Sequence, residues 1–153
     1  LMLAWVCDII VATDDAFFSD PVVRMGIPGV EYFAHPFEMP PRIAKEFLFT
    51  GDKMSAERAY QVGMVNRLST RETLHDDVSA LAAKIAAQPR LGLALTKQAI
   101  NHIEDLQGKR TGMEAAFAWH HFSHAHNDLV SGHKLGGFDA KKMAEHNKAG
   151  DKS

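Results

Sequence analysis

Breakers divide this chain unevenly, and that division limits what it can fold into. Before residue 41, Asp14-Asp15, Gly26-Ile27-Pro28-Gly29, Pro36 and Pro40-Pro41 leave room only for short segments. From Pro41 onward, apolar residues recur at helical spacing. The β-branched run Ile9-Ile10-Val11 predicts a strand, and Ala16-Phe17-Phe18 another short extended piece. The opening Leu1–Val6 run is too short for periodicity to choose between the end of a buried helix and a strand. Ile43, Phe47 and Leu48 mark a helix that Gly51 stops. Ser55 is placed to cap a helix anchored by Ala59 and Val62 and closed by Gly63. Met64 to Leu68 alternates as a strand would. Thr70 then begins a helix to about Gln88, with Leu74, Val78, Leu81 and Ile85 on one stripe. Pro89 breaks it. Leu93, Leu95, Ile100 and Ile103 line a second long helix ending near Gly108, a third covers roughly Met113 to Asp128, and a short one runs from Ala140 to Lys148. We therefore expect short strands first and then a helical tail, with a mixed core over residues 1–68 and a C-terminal helical region over 69–153.

With 153 residues, 46% of them hydrophobic, the chain is long enough to bury a core as one domain. A formal charge of −2 argues against a nucleic-acid partner, because phosphate binding requires a basic surface. No segment is long and apolar enough to span a membrane, and the opening run, interrupted by Asp8, lacks the basic flank of a signal peptide. One cysteine, Cys7, precludes an internal disulfide and fits a reducing compartment such as the cytoplasm. Lying among Trp5, Val6 and Ile9, it is expected to be a small buried hydrophobe. Because the first residue is Leu inside an apolar stretch, the chain reads as truncated.

The ordered motifs carry a resemblance. Cys7-Asp8-Ile9-Ile10, Asp15-Ala16-Phe17-Phe18 and Gly26-Ile27-Pro28-Gly29 resemble the central signature of the crotonase (enoyl-CoA hydratase/isomerase) superfamily. Leu48-Phe49-Thr50-Gly51-Asp52-Lys53-Met54-Ser55-Ala56, then Gly63-Met64-Val65-Asn66-Arg67, then Leu95-Thr96-Lys97 are similar to its later segments, in order and at the right spacing. The resemblance implies an α/β fold, a spiral of strand-strand-helix turns ending in a helical trimerisation region. It also implies a coenzyme A thioester as substrate, no permanently bound cofactor, and a homotrimer or dimer of trimers. The chemistry implied is hydration of a 2-enoyl-CoA or double-bond isomerisation, through an enolate held by two backbone N–H groups. Both donors would lie upstream of Leu1.

Two glutamates hold the water in hydratases of this type. Their positions correspond here to Met2, five residues before Cys7, and to Val22, after Asp20-Pro21; neither can exchange a proton. Other branches place an acid near the Ile-Pro-Gly segment. Glu31 then becomes the candidate acid/base, expected in an apolar pocket that raises its pKa, with His35 as partner and Asp20 as a second candidate. The bland readings are a loop carboxylate near a helix N-terminus for Glu31 and a turn residue for Asp20. Phe138, Lys141 and Lys142 occupy positions comparable to the family's CoA-contacting tail; a solvated amphipathic tail is the alternative. His120 and His124 stand at i, i+4 with His121, His126 and His133 nearby, but a metalloprotease helix would carry a glutamate between its histidines. No metal site is expected; these read as partly exposed histidines on an interface helix. Against the enzyme reading stands a binding or assembly module that keeps the fold and has lost the chemistry.

Overall fold

The computed structural model describes the backbone of residues 1–150 and the side chains of residues 1–146; residues 151–153, the last of the expected helical region, lie outside. The elements are α1 (Met2–Trp5), β1 (Val11–Thr13), β2 (Phe17–Phe18), a 3-10 turn (Pro21–Met25), α2 (His35–Glu38) and α3 (Pro41–Thr50). They continue with β3 (Met54–Ser55), α4 (Ala56–Gln61), β4 (Arg67–Ser69), α5 (Leu74–Ala86), α6 (Arg90–Leu106), α7 (Lys109–Ser131) and α8 (Ala140–Gly150). β1 pairs in parallel with β4, Val11 opposite Arg67, and β2 pairs antiparallel with β3, Phe17 opposite Ser55. All four strands lie before residue 70, interleaved with α1 to α4, and the described elements after β4 are helices. No helix of the described residues is long and apolar enough to cross a membrane.

The local punctuation behaves as its chemistry dictates. Gly51 ends α3 with φ +65°, and Gly63 follows α4 with φ +89°, both in the left-handed region where only glycine is at ease. Ser55 caps α4, its hydroxyl accepting from the Arg58 N–H at 3.1 Å. Several boundaries move: β1 takes Val11–Thr13 rather than Ile9–Val11, and α7 extends past both expected ends. Met64 and Val65 both donate to the Ala59 carbonyl, so they close the helix end and pairing starts later; Asn66 then bonds Ile10 through both backbone and side chain, leading into β4. Thr70 accepts from the Thr73 N–H at 3.3 Å and so caps a turn, and α5 begins only at Leu74. Asp77, in the first turn of α5, accepts from the Ser69 and Thr73 hydroxyls, which hold its carboxyl below the usual carboxylate range.

The core lies almost wholly in the first half. Trp5, Ala12, Met39, Phe47, Leu48, Met54, Met64 and Val65 are buried together, and α7 adds the half-buried Met113. Leu1–Val6 resolves as helix, and its single buried position goes to Trp5. Cys7, expected to be buried, is exposed, because the four-residue helix points Trp5 inward and carries Cys7 past the core. Of the expected α5 stripe, Leu74, Leu81 and Ile85 are half-buried and Val78 is exposed. α6 and α7 pack on each other, yet Leu91, Leu95, Ile103 and Leu106 of α6 and Trp119, Phe122 and Leu129 of α7 remain exposed.

Candidate functional site

Chemistry gathers on the segment from Asp20 to His35. Asp20 precedes the 3-10 turn, and Gly26, at φ +75°, reverses the chain after it. That reversal folds residues 27–35 back over Asp20. Asp20 is 1% exposed, and its Oδ2 accepts from the Val30 N–H at 3.2 Å and from His35 Nε2 at 2.9 Å. His35 is fully buried, with Trp5 edge-on at 4.6 Å and Phe33 at 4.7 Å between ring centroids. His35 Nδ1, Asp20 Oδ1 and Trp5 Nε1 are buried with no hydrogen-bond partner among the described residues. Buried polar atoms are rarely left so, and three of them lie around this one ring.

The expected pairing is thereby corrected. His35 partners Asp20, not Glu31. Asp20 is more than a turn residue, since it ties two points of the loop together. Glu31 is not in an apolar pocket: its side chain is 53% exposed and faces α7, with Oε1 3.7 Å from His120 Nε2. His120 Nδ1 donates to the Gly29 carbonyl at 2.9 Å, and His124 Nε2 lies 3.2 Å from His120 Nε2. His120, expected to be partly exposed, is 7% exposed, because the loop covers it. Among the described residues no group of three His, Cys, Asp or Glu side chains is disposed to hold a metal ion.

The Gly132–Gly137 stretch docks on the same loop. Gly136 N donates to Met25 O at 3.0 Å and Phe138 N to Arg24 O at 2.7 Å, while Asn127 Nδ2 donates to Gly26 O at 3.1 Å. A Cβ on Gly137 would run into the Arg24 carbonyl oxygen, so only glycine permits this approach. Gly137→Ala is expected to cost about 1–3 kcal/mol through overpacking. It should also free the tail, seen as faster proteolysis after residue 137; wild-type protection in the variant would refute the docking. Beyond it, Asp139 caps α8 by accepting from Lys142 N at 2.8 Å. Phe138 lies against His146, and Lys141 and Lys142 are exposed on the first turn.

On the other side of Trp5 opens a groove of about 1020 Å³, lined by Cys7, Tyr32, Lys97, Lys109 and Met113 among others. Its cations are taken: Lys97 meets Asp8 at 2.6 Å, Lys109 meets Glu104 at 2.9 Å and Glu38 at 3.8 Å, and Arg110 meets Asp105 at 3.4 Å. Burial raises the Glu38 carboxyl, partly offset by Lys109. Burial opposes the charge on Lys109 as well, but the Glu104 hydrogen bond and the Glu104 and Glu38 charges outweigh it and raise the ammonium pKa. A groove whose cations already sit on carboxylates is no ready cradle for phosphate.

The enoyl-CoA hydratase/isomerase family profile matches residues 1–146. EchA13 of Mycobacterium tuberculosis, which carries the name of an enoyl-CoA hydratase, is 41% identical over 136 residues, 88% of this chain and 43% of that protein. A crotonyl-CoA hydratase of Syntrophomonas wolfei is 32% identical over 76% of this chain and 44% of its own length. Among solved structures, a Mycobacterium smegmatis protein named for an enoyl-CoA hydratase superposes with a TM-score of 0.85 at 45% identity, over 88% of this chain and 55% of that one. A protein of the same description from Mycobacterium thermoresistibile gives 0.82 at 46% identity, over 86% of this chain and 53% of that one. The chain spans about half the length of the relatives it matches. It has the crotonase fold, and it belongs to the enoyl-CoA hydratase/isomerase family.

Proposed function

We propose that the whole protein binds a coenzyme A thioester and adds water to a 2-enoyl-CoA or shifts its double bond, with Glu31 as the acid/base. The observation that carries this reading is the fixed loop. Asp20 Oδ2 holds both the Val30 N–H and His35, and so presents Glu31, the next residue, at the surface beside His120. Met2 and Val22 offer no proton, while Glu31 is a carboxylate accessible enough to meet a substrate. Asp20 and His35 are too buried to touch one and act by positioning. Residues 1–68 are read as the remainder of the spiral core and 69–153 as the helical region. The exposed apolar faces of α6 and α7 support assembly with further copies as a trimer or dimer of trimers. Phe138, Lys141 and Lys142 are the candidate CoA contacts, since the two lysines project free of the core next to the docked loop. An exposed free thiol at Cys7 suits a reducing compartment, taken as the cytoplasm.

A second reading, a binding or assembly module, is favoured by the missing acids at positions 2 and 22. Calorimetric titration of the whole protein with a short acyl-CoA tests the ligand class for the enzyme reading. Saturable binding is expected. No binding would remove the thioester and leave assembly alone.

A further inference from the structure

Two histidines on α7 face each other in a way that fixes their protons. His120 Nδ1 lies 2.9 Å from the Gly29 carbonyl oxygen, and His124 Nδ1 lies 2.8 Å from the Lys134 carbonyl oxygen. A carbonyl oxygen only accepts, so each Nδ1 carries a hydrogen. Yet the two Nε2 atoms approach to 3.2 Å. In two neutral rings these would be two lone pairs face to face, and in two imidazolium rings two N–H groups. Only one proton between them gives a bond. Three protons then sit on four ring nitrogens, and the pair carries a single positive charge. Glu31 Oε1, 3.7 Å from His120 Nε2, is the anion against it. Among the described residues, His121 on the same helix is a further titratable group beside the pair, its ring centroid 6.0 Å from that of His120.

We propose that His120 and His124 share one proton and that this cationic pair is the positioning partner of Glu31. The pair ties three segments together. One Nδ1 holds the Asp20–His35 loop through Gly29, the other holds the 132–137 loop through Lys134, and the shared proton joins them across one turn of α7. A pair without that proton sets the two lone pairs against each other and takes away the charge facing Glu31; a pair with a second one sets two N–H groups together. The sharing itself stands on hydrogen-bond geometry; its consequence for turnover rests on the reading of Glu31 as acid/base.

The test is nitrogen NMR of the whole protein labelled at its histidine ring nitrogens. Two Nδ1 atoms in the protonated range are expected at neutral pH, with two coupled Nε2 atoms at intermediate shifts and a proton far downfield of the amides. Two unprotonated Nε2 atoms, or two fully protonated ones, would overturn the sharing without touching the role of Glu31. His124→Gln supplies the positioning test, because its amide can donate to His120 Nε2 and keep a bond while removing the charge. The alkaline limb of the kcat/KM profile should shift in this variant, with KM for the thioester held. A profile superimposable on wild type would overturn the positioning role. Loss of the role of Glu31 itself is read separately, from unchanged turnover in Glu31→Gln with the NMR signature intact.

Discussion

Glu31→Gln in the whole protein is expected to lower turnover of an enoyl-CoA by about 10²–10⁴-fold, the range general acid–base catalysis supplies. Binding of the thioester should be unchanged. The variant keeps shape and hydrogen-bonding capacity and removes the exchangeable proton. The side chain is 53% exposed and His120 Nε2 sits 3.7 Å away, at an ion-pair rather than a hydrogen-bond distance, so the amide removes the charge facing the histidine pair without unmaking a hydrogen bond to it. A fall in kcat at constant thioester affinity thus isolates chemistry from folding. Turnover at the wild-type rate would remove Glu31 from the mechanism.

The second large effect is on stability. Asp20→Ala deletes the acceptor of two groups, the Val30 N–H and His35 Nε2. Each orphaned buried polar group costs about 1–3 kcal/mol, so the loss is about 2–6 kcal/mol. It should be read as a lower denaturation midpoint at unchanged m. Asp20→Asn keeps an acceptor oxygen and should recover part of it. Because the carboxylate also orders the loop carrying Glu31, activity should fall in Asp20→Ala even well below its melting range. A variant as stable as wild type would mean that the loop is held elsewhere.

Much of the fold was legible because its determinants are local. Ser55 caps α4 and Gly51 and Gly63 close helices through geometry contained within a few residues, so the residue types announce the turn. The motif order was legible for the same reason. What escaped depends on long-range placement. His35 meets Asp20 across 15 residues and His120 meets Gly29 across 91, and no periodicity encodes either meeting. A histidine next to Pro36 and an aspartate next to Pro21 look like turn residues until the αL reversal at Gly26 folds one over the other. Cys7 was misplaced by its neighbours, since in so short a helix burial of Trp5 leaves it on the outer side. The i, i+4 spacing of His120 and His124 was visible, and it was weighed as a metal site or as partly exposed histidines on an interface helix; that both Nδ1 atoms meet carbonyls follows from the loops, not from the helix.

The most direct test of the central claim is turnover of a short 2-enoyl-CoA by the wild-type whole protein in water, with the product identified by mass and by proton NMR of its acyl chain. The account predicts a thioester heavier by one water, or the shifted double bond, although positions 2 and 22 carry Met and Val. A thioester that binds and is recovered unchanged would contradict it and leave a member of the family that holds its ligand without transforming it.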